Sequence, residues 1–284
     1  MIRFEHIDVS GWEAAIRGMR NPKESWDRSD SKFVHGGYCE DKLGGSCNEL
    51  CLNIGSNDLD LMKRLARAGS DHRKFMRYLT VTVDITAPLY WWKEFDTYKV
   101  GTVANSCSTM HCIHKHEFTL EDFSCEHLYN DSSKNEWFKD HMLDAIDGLN
   151  QARLLYLELD AQIRKGPATA EMCEQRKKYW WQMIQLLPSS YNQKRTVQMT
   201  YETLANIRRS RCGHKQDEWR IGIMEFIKSL PYHELIDIAA GVKTEEEKAK
   251  KDKIDHNYNK TFRQETTNGN SNNHADEETT SRAN

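Results

Sequence analysis

The chain has 284 residues, of which 38% are apolar, and a formal net charge of −3, enough material for one sizeable core or two small ones. A balance this close to neutral gives no electrostatic footprint for nucleic acid. No apolar run approaches a membrane span, and Met-Ile-Arg-Phe-Glu-His at the start has no signal-peptide apolar segment. The eight cysteines follow no disulfide framework, so reduced thiols in the cytoplasm are expected.

In chain order, Phe4, Ile7, Trp12, Ala15, Ile16 and Met19 suit an amphipathic helix from Ser10 onward, ended by Pro22. Residues 28 to 52 read as a loop-rich insertion in which Gly36-Gly37 and Gly44-Gly45 stand among Cys39, Cys47 and Cys51, a spacing that is not a zinc ribbon. Asn57-Asp58 can cap a helix carrying Leu61, Met62, Leu65 and Ala68 and closed by Gly69. A basic cluster follows, His72, Arg73, Lys74 and Arg77, which suits an anionic ligand as well as a solvated face.

Leu79 to Ile85 alternates apolar and polar residues, the period of a half-buried strand. Pro88 suits the first turn of a short helix, about Leu89 to Phe95, whose Tyr90, Trp91, Trp92 and Phe95 read first as core. Small and polar residues without clear periodicity come next, including Gly101, Thr102, Asn105, Ser106 and Ser108. Such a loop, delivered by a strand and an aromatic helix, is a common way to place a site on a rigid frame. His111, Cys112, His114 and His116 then put four soft donors into six residues. They admit a metal only with suitable geometry and a further ligand, and a surface loop is the simpler reading.

Two long helices, about Asn135 to Lys165 and Ala170 to Leu187, are separated by Gly166-Pro167 and stopped by Pro188, as in a packed hairpin. Tyr191 to Met199 alternates like a strand, Tyr201 to Arg209 is helical, and His214 to Leu230 is a further helix stopped at Pro231. From Lys243 the composition turns polar and charged, so residues 243 to 284 are expected to form a disordered tail behind a single domain at 1 to 242.

The central stretch resembles the signature region of flavin-dependent thymidylate synthases. That family reads Ala-Pro-aliphatic-aromatic-x-x-Arg-Gln-aromatic and then Arg-His-Arg-x-x-Ser-x-Asn-Glu-x-Ser-x-Arg-Tyr. Ala87-Pro88-Leu89-Tyr90 and Lys93-Glu94-Phe95 fall in register with the first part. Lys99 stands at the second motif Arg and Thr102 at the first Ser; with one extra residue, Ala104, Asn105 and Ser108 take the Asn and second Ser. The departures are Thr97 for the first Arg, Tyr98 for the His, Ser106 for the Glu and Met110-His111 for the final Arg-Tyr. Upstream, Gly69 and Phe75 resemble the ends of a family segment whose flavin-contacting His falls near Arg77. Downstream, Pro188 to Thr200 and Thr200 to Arg211 keep the family's separations of twelve and eleven residues. Gln216 matches a later Gln after a one-residue shift, and the usual Arg-rich turn is replaced by a region carrying Trp180, Gln182 and Gln185.

The resemblance covers about residues 57 to 232 and implies an α+β fold, a small mainly antiparallel sheet flanked by long helices. It implies reductive methylation of dUMP with FAD as cofactor and NADPH and methylenetetrahydrofolate as cosubstrates, in a cytoplasmic homotetramer. Carried over residue by residue, it gives Lys99 and Arg211 catalytic roles and Arg77, Lys99, Thr102 and Thr200 cofactor binding. Asn105, Ser108, Arg211 and Gln216 are assigned to the substrate, and no residue to a metal. Two alternatives stand beside it: a catalytically altered or inactive nucleotide-binding member of the fold, and a metal-binding protein using the His/Cys run.

Overall fold

The computed structural model describes residues 2–35 and 50–242. The chain begins with a strand that the sequence reading did not foresee, β1 (Arg3–Ser10), followed by the expected amphipathic helix, α1 (Trp12–Arg20). Two short strands, β2 (Lys32–His35) and β3 (Leu50–Asn53), pair antiparallel at the flanks of the expected insertion; Cys39 and Cys47 lie outside the described residues. Helix α2 (Ser56–Arg67) is capped from a distance. The Asp30 carboxylate accepts the N–H groups of Asn57 at 2.9 Å and Asp58 at 3.1 Å, satisfying donors that a helix start leaves orphaned. Asp58, expected as a cap, instead turns inward and is fully buried.

Strand β4 (Thr80–Pro88) and helix α3 (Leu89–Phe95) stand where the sequence puts them. The Tyr191 and Ser189 carbonyls accept the first α3 N–H groups, those of Leu89 and Tyr90, each at 3.0 Å. Strand β5 (Thr102–Ser106) and a single turn, α4 (Thr109–Cys112), occupy the stretch read as a loop. After a small hairpin, β6 (Asn130–Asp131) and β7 (Glu136–Trp137), come the two long helices α5 (Phe138–Lys165) and α6 (Ala170–Leu186). Strand β8 (Asn192–Thr200) runs directly into α7 (Tyr201–Arg211). A π-helical turn at Glu218–Ile223 leads into α8 (Met224–Ser229), and α9 (Glu234–Ala240) follows. The described chain as far as Ala240 belongs to one compact unit; the polar tail expected from 243 lies outside the described residues.

The four-stranded sheet is antiparallel throughout, in the order β1-β4-β8-β5. Val81, Val83, Ile85 and Ala87 of β4 and Val197 and Met199 of β8 are fully buried on one face. There they meet α1, α2, α3, α7, α8 and α9, and Phe4 of β1 stacks on Phe226 with ring centroids 4.3 Å apart. Trp91, Trp92 and Phe95 are at most 1% exposed, so the core reading of the α3 aromatics holds for these three. Truncating any of them to alanine costs about 3–5 kcal/mol on the usual scale for buried aromatics. Between these inward residues β4 carries Thr80, Thr82, Asp84 and Thr86 on the opposite, polar face.

A second core lies where α5 packs on α6, with Met142, Ile146, Leu149, Ala152 and Met183 against Ile113, Phe118 and Phe123. This is the helical hairpin read from the sequence, though the apolar Phe138 and Leu154 of α5 are 48% and 61% exposed. The fold class is therefore the expected α+β, a small antiparallel sheet flanked by long helices.

Candidate functional site

The two stretches that carry the resemblance meet along the segment Tyr98–Thr102. Arg211, the last residue of α7, donates through Nε to the Tyr98 hydroxyl at 3.0 Å and through Nη1 to Glu94 Oε2 at 2.7 Å. Its guanidinium lies 5.0 Å from the centre of the Trp219 ring, within cation–π range. His214 Nε2 is 3.3 Å from the same Glu94 oxygen, and the Gln216 N–H donates to His214 Nδ1 at 3.2 Å. A ring nitrogen that accepts carries no proton, which leaves Nε2, on the Glu94 side, as the nitrogen that carries the ring's N–H. Gln216 Oε1 is buried without a partner among the described residues.

At the other end of α7, Thr200 caps the helix by accepting the Thr203 N–H at 3.2 Å, and Thr203 Oγ1 donates to the Val100 carbonyl at 3.0 Å. Gly101 has φ +71°, and a Cβ there would lie 3.1 Å from Thr203 Oγ1 and 3.3 Å from Thr200 Oγ1. Glycine alone combines that backbone with this close approach. Thr102 Oγ1 is buried with no partner, and Lys99 beside it is exposed and in no ion pair among the described residues. Lys99, Thr102 and Thr200 thus gather at the start of α7, while Arg211 and Gln216 gather at its end.

Arg77 is placed differently from a free anion ligand. It is bound to the Glu202 carboxylate in the first turn of α7. Arg73 lies 3.6 Å from the same carboxylate and donates to the Ala239 carbonyl at 2.6 Å. Asn105 is exposed on β5 opposite Thr196, about 10 Å along the strand from Thr102. Ser108 accepts the His111 N–H at 3.4 Å and so caps α4. It also lines a pocket of about 130 Å³ with Cys107, Cys112, Tyr191, Asn192 and Lys194. Burial pushes the Tyr191 hydroxyl above its ordinary pKa.

Sequence reasoning did not foresee Glu94, Tyr98, His214 or Trp219 as parts of this arrangement. Glu94 carried a signal, since it falls in register with the first motif; His214 and Trp219 carried none, being brought in by the turn between α7 and the π-helical segment. Tyr90, read as core, is half-buried and donates its hydroxyl to Glu218 in that π-helical turn, and burial first, then the carboxylate, raises its pKa. Among the described residues no three His, Cys, Asp or Glu side chains are grouped to hold a metal ion. His114 instead packs against Tyr156, the rings tilted with centroids 4.8 Å apart, and burial lowers its pKa.

The sheet, the aromatic helix after its central strand and the long helical hairpin together form the fold of the flavin-dependent thymidylate synthases. The similar solved structures include thymidylate synthase X (ThyX) of Helicobacter pylori with FAD and dUMP, at TM-score 0.53 and 13% identity over 84% of this chain and 99% of that one. A second Helicobacter pylori ThyX structure complexed with FAD and dUMP aligns at TM-score 0.52 and 14% identity, over 83% and 97% of the two chains. A UMP/dUMP methylase, PolB of Streptomyces cacaoi bound with 5-Br dUMP, aligns at TM-score 0.47 and 13% identity, over 85% and 94%. No protein-family model and no curated protein matches the sequence. Among the described residues no helix is long and apolar enough to cross a membrane.

Proposed function

We propose that this chain is a flavin-dependent thymidylate synthase-like enzyme that reductively methylates dUMP to dTMP, with methylenetetrahydrofolate as carbon donor and NADPH as reductant. The observation that carries the reading is the junction of the two motif blocks. Arg211 is bonded to Tyr98 across 113 residues of sequence, and Thr203 to Val100 across 103.

The residues present fit a flavin in part. Thr102 Oγ1, buried without a partner among the described residues, and the close backbone at Gly101 leave a polar cradle beside Thr200, with the Lys99 cation next to it. Lys99, Thr102 and Thr200 would therefore hold the cofactor, whereas Arg77 joins them only by leaving Glu202. When bound, FAD supplies the hydride that completes the methyl group. The chain itself contributes charge and position. Arg211 sets positive charge against a pyrimidine oxygen, Lys99 offers a second cation towards the other end of α7, and Asn105, Ser108 and Gln216 orient the nucleotide. Trp219, itself packed on Trp91 and Phe95, covers one side of the Arg211 guanidinium, and a charge acts more strongly where water is displaced.

A homotetramer in the cytoplasm belongs to the same reading. In support, Leu143, Leu154, Leu155, Trp181 and Leu186 of the helical hairpin are all at least 41% exposed, which suits a subunit interface. A second reading, a nucleotide-binding member without turnover, is favoured by the carboxylate that neutralises Arg211 and by Thr97-Tyr98-Lys99 in place of Arg-His-Arg. The visible spectrum of freshly purified protein, followed by turnover of dUMP with both cosubstrates, separates the two. Flavin bands with dTMP formation support the enzyme; nucleotide binding without dTMP formation supports the second reading.

A further inference from the structure

The pocket beside Ser108 holds two thiols that the proposed reaction does not use. Cys107 and Cys112 both line this space of about 130 Å³, well above the ~10–15 Å³ that one water needs. Local structure brings the two together. Ser108 is the N-cap of α4, so Cys107 immediately precedes the cap and Cys112 is the fourth residue of the turn. Side chains at those two positions pack against each other across the start of a helix. The Cys112 N–H closes the turn on the Ser108 carbonyl at 3.0 Å. Cys107 is fixed from both sides: its N–H donates to the Lys194 carbonyl at 2.9 Å, and its carbonyl accepts from Gln193 Nε2 at 3.0 Å. Trp180 Nε1 of α6 donates to the Met110 carbonyl at 3.1 Å and pins the turn from the other side. Both thiols also act on one neighbour. Burial first, then Asp122, then Cys107 and Cys112 push the Tyr191 hydroxyl above its ordinary pKa. Among the described residues no third His, Cys, Asp or Glu joins the pair to hold a metal ion, so the chemistry of this pocket is that of sulfur with sulfur.

We propose that Cys107 and Cys112 form a thiol–disulfide exchange site that takes low-molecular-weight disulfides. Cys107 is exposed and Cys112 partly buried, which makes Cys107 the attacking thiol and Cys112 the resolving one. The Cys107 thiolate attacks one sulfur of the small disulfide, whose S–S bond breaks. A mixed disulfide forms at Cys107, and the first small thiolate leaves and takes up the proton that Cys107 gave up. The Cys112 thiolate then attacks Cys107 Sγ, and the second small thiolate leaves with the Cys112 proton. Two protein thiols are oxidised to one disulfide, and the small disulfide is reduced to two thiols. The new bond spans Ser108 and ties the α4 turn to the end of β5. This chemistry does not depend on the nucleotide reading.

The test exposes the full-length protein to reduced or to oxidised glutathione, alkylates the remaining thiols and maps the tryptic peptides by mass. Cleavage after Lys99 and Lys115 gives one peptide, Val100–Lys115, which contains Cys107 and Cys112 and no other cysteine. After reduced glutathione this peptide should carry two alkyl groups. After oxidised glutathione it should carry neither, weigh two hydrogens less than the free dithiol and hold no glutathione. Cys112→Ser removes the resolving thiol and should trap glutathione on Cys107, whereas Cys107→Ser should leave Cys112 open to alkylation. An unmutated peptide that keeps both alkyl groups, retains bound glutathione or is cross-linked to another cysteine overturns the inference. Glutathione on Cys112 in Cys107→Ser, with none on Cys107 in Cys112→Ser, overturns the assignment of Cys107 as the attacking thiol.

Discussion

Replacing Asp58 with alanine is the most demanding test of how the fold is held together. The carboxylate is 0% exposed and takes Arg20 Nε at 2.7 Å and Nη2 at 2.6 Å on one oxygen. Its other oxygen accepts the hydroxyls of Ser29 at 2.7 Å and Ser31 at 2.6 Å, and the N–H groups of Asp30 at 3.2 Å and Ser31 at 3.1 Å. Arg20 is itself 5% exposed, so removing Asp58 strands a buried cation with, among the described residues, only the Ser25 carbonyl at 3.1 Å. Breaking one partner of a buried pair typically costs about 3–5 kcal/mol. At about 2–4 °C per kcal/mol for a domain of this size, the midpoint should fall by about 6–20 °C, measured by circular dichroism or calorimetry. A fall of less than about 2 °C would refute the account of Asp58 as the anchor of residues 29–31.

The same carboxylate makes a prediction about pH. Burial pushes its pKa up, but the hydrogen bonds from Ser31, Ser29 and Arg20 outweigh burial and hold it below the ordinary value of 3.8. A group depressed in the folded state stabilises above its unfolded pKa and loses that contribution as pH falls through the folded value. The unmutated protein should therefore lose stability from about pH 4 downward, and Asp58→Asn should show a shallower acid slope in the same melts.

Two further expectations follow from the proposals. Deleting residues 243–284 should leave the thermal midpoint and the helical signal per folded residue nearly unchanged, and a large drop would mean that the tail docks. Light scattering at micromolar concentration should show a multimer, a tetramer on the family reading, and Leu154→Glu on α5 should shift it to smaller species. A strict monomer would contradict the homotetramer of the proposed reading.

What the sequence disclosed depended on whether periodicity survived. β4 and β8 were legible because their apolar residues alternate, and α3, α5 and α6 because Pro88, Gly166-Pro167 and Pro188 mark where helices begin and stop. β1 was not: its bulge at His6, with φ 53°, slips the register between Glu5 and Asp8. Phe4 and Val9 then both pair with inward residues of β4, at a separation no regular strand gives. β5 is an edge strand exposed from Val103 to Ser106, so it carries no apolar alternation and is fixed by pairing with β8. At the site, Arg211 and Lys99 were found through spacing and motif register. The commitment of Arg211 to Glu94 and of Arg77 to Glu202 arises between distant residues, and no local pattern announces it.

The central claim, a pyrimidine nucleotide held beside a flavin by Arg211 and Lys99, is tested most directly by calorimetric titration of dUMP into flavin-loaded protein. The unmutated chain should bind dUMP. Arg211→Ala should weaken that binding about tenfold or more, the loss of roughly 1.5 kcal/mol or greater expected for one charge-assisted contact. Lys99→Ala should reduce flavin retention or nucleotide affinity, and Lys250→Ala should change neither. An unmutated protein that binds neither flavin nor any pyrimidine nucleotide would contradict the claim and leave only the shared fold.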